Sequence, residues 1–158
     1  MNDIGFEVNN MKKWIIIMLL LLSMLCIAVT ASADVAIDET NFPDDNFRSY
    51  VTQFDTNGDG VFSDEELGRV KSISCDSMNI ADMTGIEYFT FLTDLGCVDN
   101  QLTELDLSSN TELTYLNCWY NQLTYLNVSN NSAITYLDCS SNQLIDLDVS
   151  NMTELYIH

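Results

Sequence analysis

Residues 55–66 read Asp-Thr-Asn-Gly-Asp-Gly-Val-Phe-Ser-Asp-Glu-Glu, and six of them could hold a hard cation. Asp55, Asn57 and Asp59 offer side-chain oxygens at alternate positions, and Gly60 permits the sharp turn that follows. Val61 would lend its backbone carbonyl, Ser63 a direct or water-bridged contact, and Glu66 both carboxylate oxygens. Six to eight oxygens in such an order suit Ca2+. No catalytic set assembles beside them. His158 is the one histidine and the last residue, and no Ser/His/Asp group, Cys/His pair or phosphate-binding loop can be built. The chain is therefore read as non-enzymatic.

Cysteines are the second candidate for chemistry. Cys97, Cys118 and Cys139 follow one another at equal intervals, and the step from Cys75 to Cys97 is one position longer. With Cys26 in the apolar N-terminal run set apart, residues 34–158 hold these four, and an even number in a secreted chain suggests disulfides. Each, however, occupies the inward position that a leucine ordinarily holds. Side chains that point the same way from stacked strands make poor bridge geometry. A ladder of buried thiols is the expectation, with free cysteine acting as a small hydrophobe. Ligands strung in a line do not suit tetrahedral zinc.

The acidic loop needs elements on either side to hold it. Phe47, Tyr50, Val51 and Phe54 recur at helical spacing, with Pro43 in the first turn and Asp44 and Asp45 near the positive end of the helix dipole. Ser63 and Glu66 have the spacing of a capping box opening a second, short helix that turns Leu67 and Val70 inward. The twelve loop positions resemble an EF-hand calcium loop between its two helices. One loop without a second hand predicts a structural rather than a signalling ion. A calcium-regulated switch is the competing idea, in which Ca2+ alters partner affinity.

The chain of 158 residues carries 24 acidic and 5 basic side chains. Lys12 and Lys13 precede an apolar run from Trp14 to Val29, and Ala31-Ser32-Ala33 follows. That order predicts a secretory signal peptide over residues 1–33, cleaved before Asp34, with Met11 as an alternative start. Residues 34–158 would then hold 22 acidic and 3 basic side chains, still a net charge of −19. Such a surface repels nucleic acid and anionic membranes. No membrane insertion is expected after cleavage, and the destination is the bacterial cell surface or the medium.

Those elements lead into a repeat. Leu95, Leu116 and Leu137 are evenly spaced, and Asn100, Asn121 and Asn142 keep the same step, as do Leu102, Leu123 and Leu144. The pattern L-x-x-L-x-C-x-x-N-Q-L-x-x-L-x-[LV]-S-x-N runs from Leu92 with a 21-residue period. A fixed period of this length signifies a solenoid. The expected fold is mainly β, with parallel strands of successive turns forming a concave sheet and a second extended arm behind it. The asparagine amides would bond the backbone of the neighbouring turn. Residues 34–69 form the helix-loop-helix cap and 70–158 the repeats. Residues 70–91 make an irregular first turn in which Met78 replaces the asparagine. Leu155 opens a fourth turn, and the C-terminal end is expected to be uncapped.

This pattern resembles the bacterial leucine-rich repeat family, in broad terms its internalin-like branch. The resemblance implies a secreted or surface module that binds a partner without catalysis. The outward strand positions read Asp94, Gly96, Val98, then Tyr115, Asn117, Trp119, then Tyr136, Asp138, Ser140. Tyr115, Asn117, Trp119, Tyr136 and Asp138 are the candidate face for a protein or carbohydrate ligand. The alternative is a recognition module of a larger secreted enzyme whose catalytic part lies elsewhere.

Overall fold

A computed structural model describes residues 34–157, the last two as backbone only. The expected signal peptide and His158 lie outside the described residues. The described chain opens with β1 (Val35–Ala36), α1 (Asp45–Val51), a 3-10 turn (Thr52–Phe54), β2 (Val61–Phe62) and α2 (Asp64–Arg69). The remainder is β3 (Ser72–Ser74), a 3-10 turn (Ile86–Tyr88), β4 (Asp94–Gly96), β5 (Glu104–Asp106), β6 (Tyr115–Asn117), β7 (Tyr125–Asn127), β8 (Tyr136–Asp138) and β9 (Tyr156–Ile157).

Both helices start where side chains satisfy free amides. Asp44 caps α1 by accepting from the amides of Asn46 and Phe47. Pro43 therefore precedes the cap instead of sitting in the first turn, which corrects the expected start. In α2 the Ser63 hydroxyl accepts from Glu66 N and the Glu66 carboxylate accepts from Ser63 N, the reciprocal pair that the spacing predicts. β2 does not stand alone. It pairs antiparallel with β1, Val35 opposite Phe62 and Ala36 opposite Val61.

The repeats wind into a mainly β solenoid. Its principal sheet is parallel, in the order β3-β4-β6-β8-β9. Ile73, Leu95, Leu116 and Leu137 stand opposite one another along it, so residues a full turn apart in sequence become neighbours. β5 and β7 form a separate parallel pair, the expected second arm. Residues 146–148, the next copy of that arm, form no strand. In the first turn the corresponding half is the 3-10 turn Ile86–Tyr88, which reads out the three-residue step of Ile86, Phe89 and Leu92. The last step also differs from expectation. Tyr156 pairs with Tyr136, one position short of the full period, so Leu155 does not align with Ile134.

One core cluster serves the whole described chain. It runs from Phe42, Phe47, Val51 and Phe62 through Ile73, Phe89, Leu95 and Leu116 to Leu137 and Met152. Phe42 is fully buried and meets Phe47, Phe62, Tyr88 and Phe89 at centroid separations of 5.8–6.4 Å. Gly85 makes this junction possible. Its φ is +104°, and a Cβ there would lie 2.2 Å from Phe42 Cδ1.

Candidate functional site

A three-residue strand with an inward centre must present its two flanking residues outward. Leu95, Leu116 and Leu137 fill the centres, and the flanks form two rows across the principal sheet. One row is Ser72, Asp94, Tyr115 and Tyr136, and the other is Ser74, Gly96, Asn117 and Asp138. Of the expected face residues, Tyr115 is thereby set beside Tyr136 and Asn117 beside Asp138, while Trp119 follows the end of β6. The Tyr115 and Tyr136 rings stack at 4.6 Å with 8° between their planes. Asn117 Oδ1 accepts from Trp119 N at 3.1 Å, and Asp138 Oδ1 accepts from the Ser140 amide and hydroxyl. Burial pushes the Tyr136 hydroxyl's pKa up, helped by Tyr115 and Asp138 beside it.

Tyr120 also belongs to this surface, although the hydrophobic pattern did not single it out. It is 57 % exposed and lies 5.4 Å from the ring of Trp119, itself 42 % exposed. Tyr120 shares a left-handed backbone, φ 54–57°, with Ser77, Asp99 and Ser141. Each of Asp99, Tyr120 and Ser141 immediately precedes a repeat asparagine. That position was the available signal.

The asparagines fasten the turns that carry the face. Asn121 Nδ2 donates to Cys97 O at 2.9 Å and Cys118 O at 3.1 Å, and its Oδ1 accepts from Leu102 N. Asn100 and Asn142 repeat the arrangement on the turns before and after. Each reaches back to the preceding turn. Met78 stands in the first turn, where among the described residues no earlier repeat is there to be held, and is 38 % exposed. A second column holds the other edge, with Asn110 donating to Ile86 O and Phe89 O, and Asn131 to Leu107 O and Asn110 O.

All four described cysteines are free thiols. Cys75, Cys97 and Cys118 are buried and Cys139 is partly so. Burial raises the pKa of each, that of Cys75 to about 12, so the thiols stay protonated at neutral pH.

The acidic loop presents a different picture. Asp55 accepts from Gly58 N and Gly60 N, Asn57 from Asp59 N, and Asp59 from Val61 N. Gly58 and Gly60 supply the left-handed turns, with φ of +73° and +81°. Glu66 is held by donors of the loop itself. Its Oε1 accepts from the Thr56 amide and hydroxyl, and its Oε2 from the Ser63 amide and hydroxyl. The Ser63 amide, then the Ser63 and Thr56 hydroxyls and the Thr56 amide, hold its pKa down at about 2. Among the described residues, no group of three or more His, Cys, Asp or Glu side chains is gathered to hold a metal ion. The donor types at Asp55, Asn57, Asp59, Val61, Ser63 and Glu66 suit Ca2+.

No protein-family model matches the chain. Over 71 residues, 44% of the chain, it is 49% identical to Internalin J of Listeria monocytogenes serotype 4b (strain F2365) and to Internalin J of serovar 1/2a (strain ATCC BAA-679 / EGD-e). The match spans 8% of the length of these relatives. Among solved structures, the functional domain of InlJ from Listeria monocytogenes, described as including a cysteine ladder, is 39% identical with a TM-score of 0.59. That similarity covers 79% of this chain and 32% of the other. Internalin C2 of strain 4b F2365 is 26% identical with a TM-score of 0.69, covering 80% of this chain and 58% of the other. The repeats are thus internalin-like in sequence and fold.

Proposed function

We propose that the chain is a non-catalytic binding module displayed at or released from a bacterial surface. Its partner, a protein or a carbohydrate, docks on the outward rows of the principal sheet through Tyr115, Asn117, Trp119, Tyr136 and Asp138. The observation that carries this reading is the stacked Tyr115–Tyr136 pair beside the exposed Trp119 and Tyr120. Exposed aromatic area on a backbone fixed by strand pairing binds at little entropic cost. Residues 34–69 act as the N-terminal cap of the repeats, covering leucines that an open end would expose.

The test is selection of peptide and glycan binders on the full chain, followed by Tyr136→Ala and Trp119→Ala. Binding weakened at least tenfold in either variant supports the reading. Binders indifferent to both overturn it.

A structural Ca2+ in the loop 55–66 is a second part of the proposal. Among the described residues, Asp55, Asp59 and Glu66 have no ion pair to Lys or Arg, whereas Arg48, Arg69 and Lys71 are paired elsewhere with Asp45, Glu65 and Glu112. Asp55, Asn57, Asp59, the Val61 carbonyl, Ser63 and Glu66 would hold the ion, with Glu66 giving up its Thr56 and Ser63 donors. Bound Ca2+ would offset part of the loop's negative charge and brace the cap. Calorimetric titration with Ca2+ should show one site that Glu66→Gln weakens. No heat in the unaltered chain removes the site, and equal binding by the variant removes Glu66 from it.

A further inference from the structure

One step of the outward row lacks a side chain. Gly96 stands between Ser74 and Asn117 on the neighbouring strands. The gap opens a hollow of about 250 Å³, bordered by Ser74, Asp76, Asp94, Val98, Tyr115 and Asn117. A Cβ on Gly96 would lie 3.3 Å from Asp76 Oδ1 and 3.6 Å from Ser74 Oγ. The missing side chain therefore leaves the Asp76 carboxylate uncovered beside the floor. Val98 N donates to Asp76 Oδ1 at 2.8 Å and fixes that carboxylate in place. Asp94 stands on the same side, in register with Tyr115, whose ring is held by its stack on Tyr136.

The charge of this region is one-sided. Asp76, Asp94 and Asp138 lie on or beside the outward rows, and among the described residues no lysine or arginine borders the hollow. The three basic side chains among the described residues are each paired with another acid, Arg48 with Asp45, Arg69 with Glu65 and Lys71 with Glu112. Two carboxylates, an aromatic ring and an aliphatic wall around an open hollow match a side chain with an apolar stem and a cationic head. A neutral glycan can donate hydroxyls to these carboxylates but brings no charge to offset them, and an acidic one is repelled.

We infer that the hollow over Gly96 seats an arginine or lysine side chain of a protein partner. This rests on the proposed docking face and names the partner's chemistry. The stem lies along Val98 and Tyr115, and the head faces Asp76 and Asp94. Asn117 and Asp138 fill the equivalent positions of the next two turns, so among the described residues the seat occurs once on these rows.

The test is an NMR titration of the full chain with N-acetyl-arginine methylamide, N-acetyl-lysine methylamide and the neutral isostere N-acetyl-citrulline methylamide. Saturable shifts confined to residues 74–76, 94–98 and 115–117 are expected with arginine, lysine or both, but not with citrulline. Gly96→Asn, which carries the side chain of the next turn, should abolish them. Asp94→Asn, an exposed change that leaves the hollow's shape intact, should weaken binding at least fivefold. A control pair, Asp82→Asn with Glu104→Gln, alters a separate acidic cavity of about 410 Å³ beside β5 and should change nothing. Equal response to citrulline, wild-type binding by Gly96→Asn, or shifts centred on that other cavity would overturn the assignment. If no cationic probe binds while selected partners still depend on Tyr136, the seat is refuted and the docking face stands. If partners are also indifferent to Tyr136, both fall.

Discussion

Asn121 shows what one residue of the repeat contributes. Its amide satisfies two carbonyls and one N–H group that stacking would otherwise leave buried and unpaired. A buried backbone group without a partner costs about 1–3 kcal/mol. Asn121→Ala should therefore lower stability by about 3 kcal/mol in urea denaturation. Met78→Asn at the equivalent place in the first turn should change it by no more than ~0.5 kcal/mol, because no repeat precedes that turn among the described residues. The recurrence of leucine and asparagine at fixed positions makes this column legible in the sequence alone. Tyr120 was not legible, because a left-handed backbone leaves no hydrophobic rhythm to read.

Glu66 gives the residue scale a pH dependence. Its pKa falls from the ordinary carboxylate value to about 2 in the folded chain. A depressed carboxyl pKa stabilises the fold fully above the unfolded value of about 4.3, and that stabilisation is lost as pH falls toward about 2. Urea midpoints measured between pH 6 and pH 2.5 should thus decline through this window. The decline should be shallower in Glu66→Gln, which cannot ionise.

At the scale of elements, the joint between the helical segment and the first turn is the most tightly specified. Gly85 combines a left-handed φ with contact against Phe42 and the Asn41 carbonyl. Gly85→Ala adds conformational strain to overpacking and should cost roughly 3–5 kcal/mol. Thermal unfolding followed by circular dichroism would read it. The regular strands were anticipated by the 21-residue period, and α2 by its cap. β1 was not, since Val35–Ala36 is too short for any period and forms only because β2 offers an edge. The second arm was foreseen as a rhythm of leucines, yet its last copy at 146–148 forms no strand. Ile145 there is almost wholly exposed, so little buried area supports the pairing.

For the molecule as a whole, stacked turns need not unfold together, because each contacts mainly its neighbours. Here the core is continuous from Phe42 to Met152. Phe42→Ala should cost about 3–5 kcal/mol. Its effect should also appear at Trp119, far along the stack. Coincident shifts of the fluorescence and circular dichroism transitions are the expected result. A fluorescence transition left unmoved would mean that the helical segment melts independently. The internalin-like solenoid could be read as a whole from its period. Its proposed ligand seat could not, because a single glycine in a row of larger residues acquires meaning only once its neighbours on adjacent strands are known.

The constant step between β4, β6 and β8 also bears on how such a chain can change length. Duplicating one whole unit, for example 113–133, would insert a strand into the sheet with every column still in line. The added unit would bring its own tyrosine, tryptophan and asparagine, lengthening the aromatic platform while leaving the glycine gap single. An insertion slightly shorter or longer than the period, placed within the regular turns, would instead throw the leucines out of line. Growth in whole periods is thus the route by which a lineage of these proteins could widen its reach without redesigning its interior.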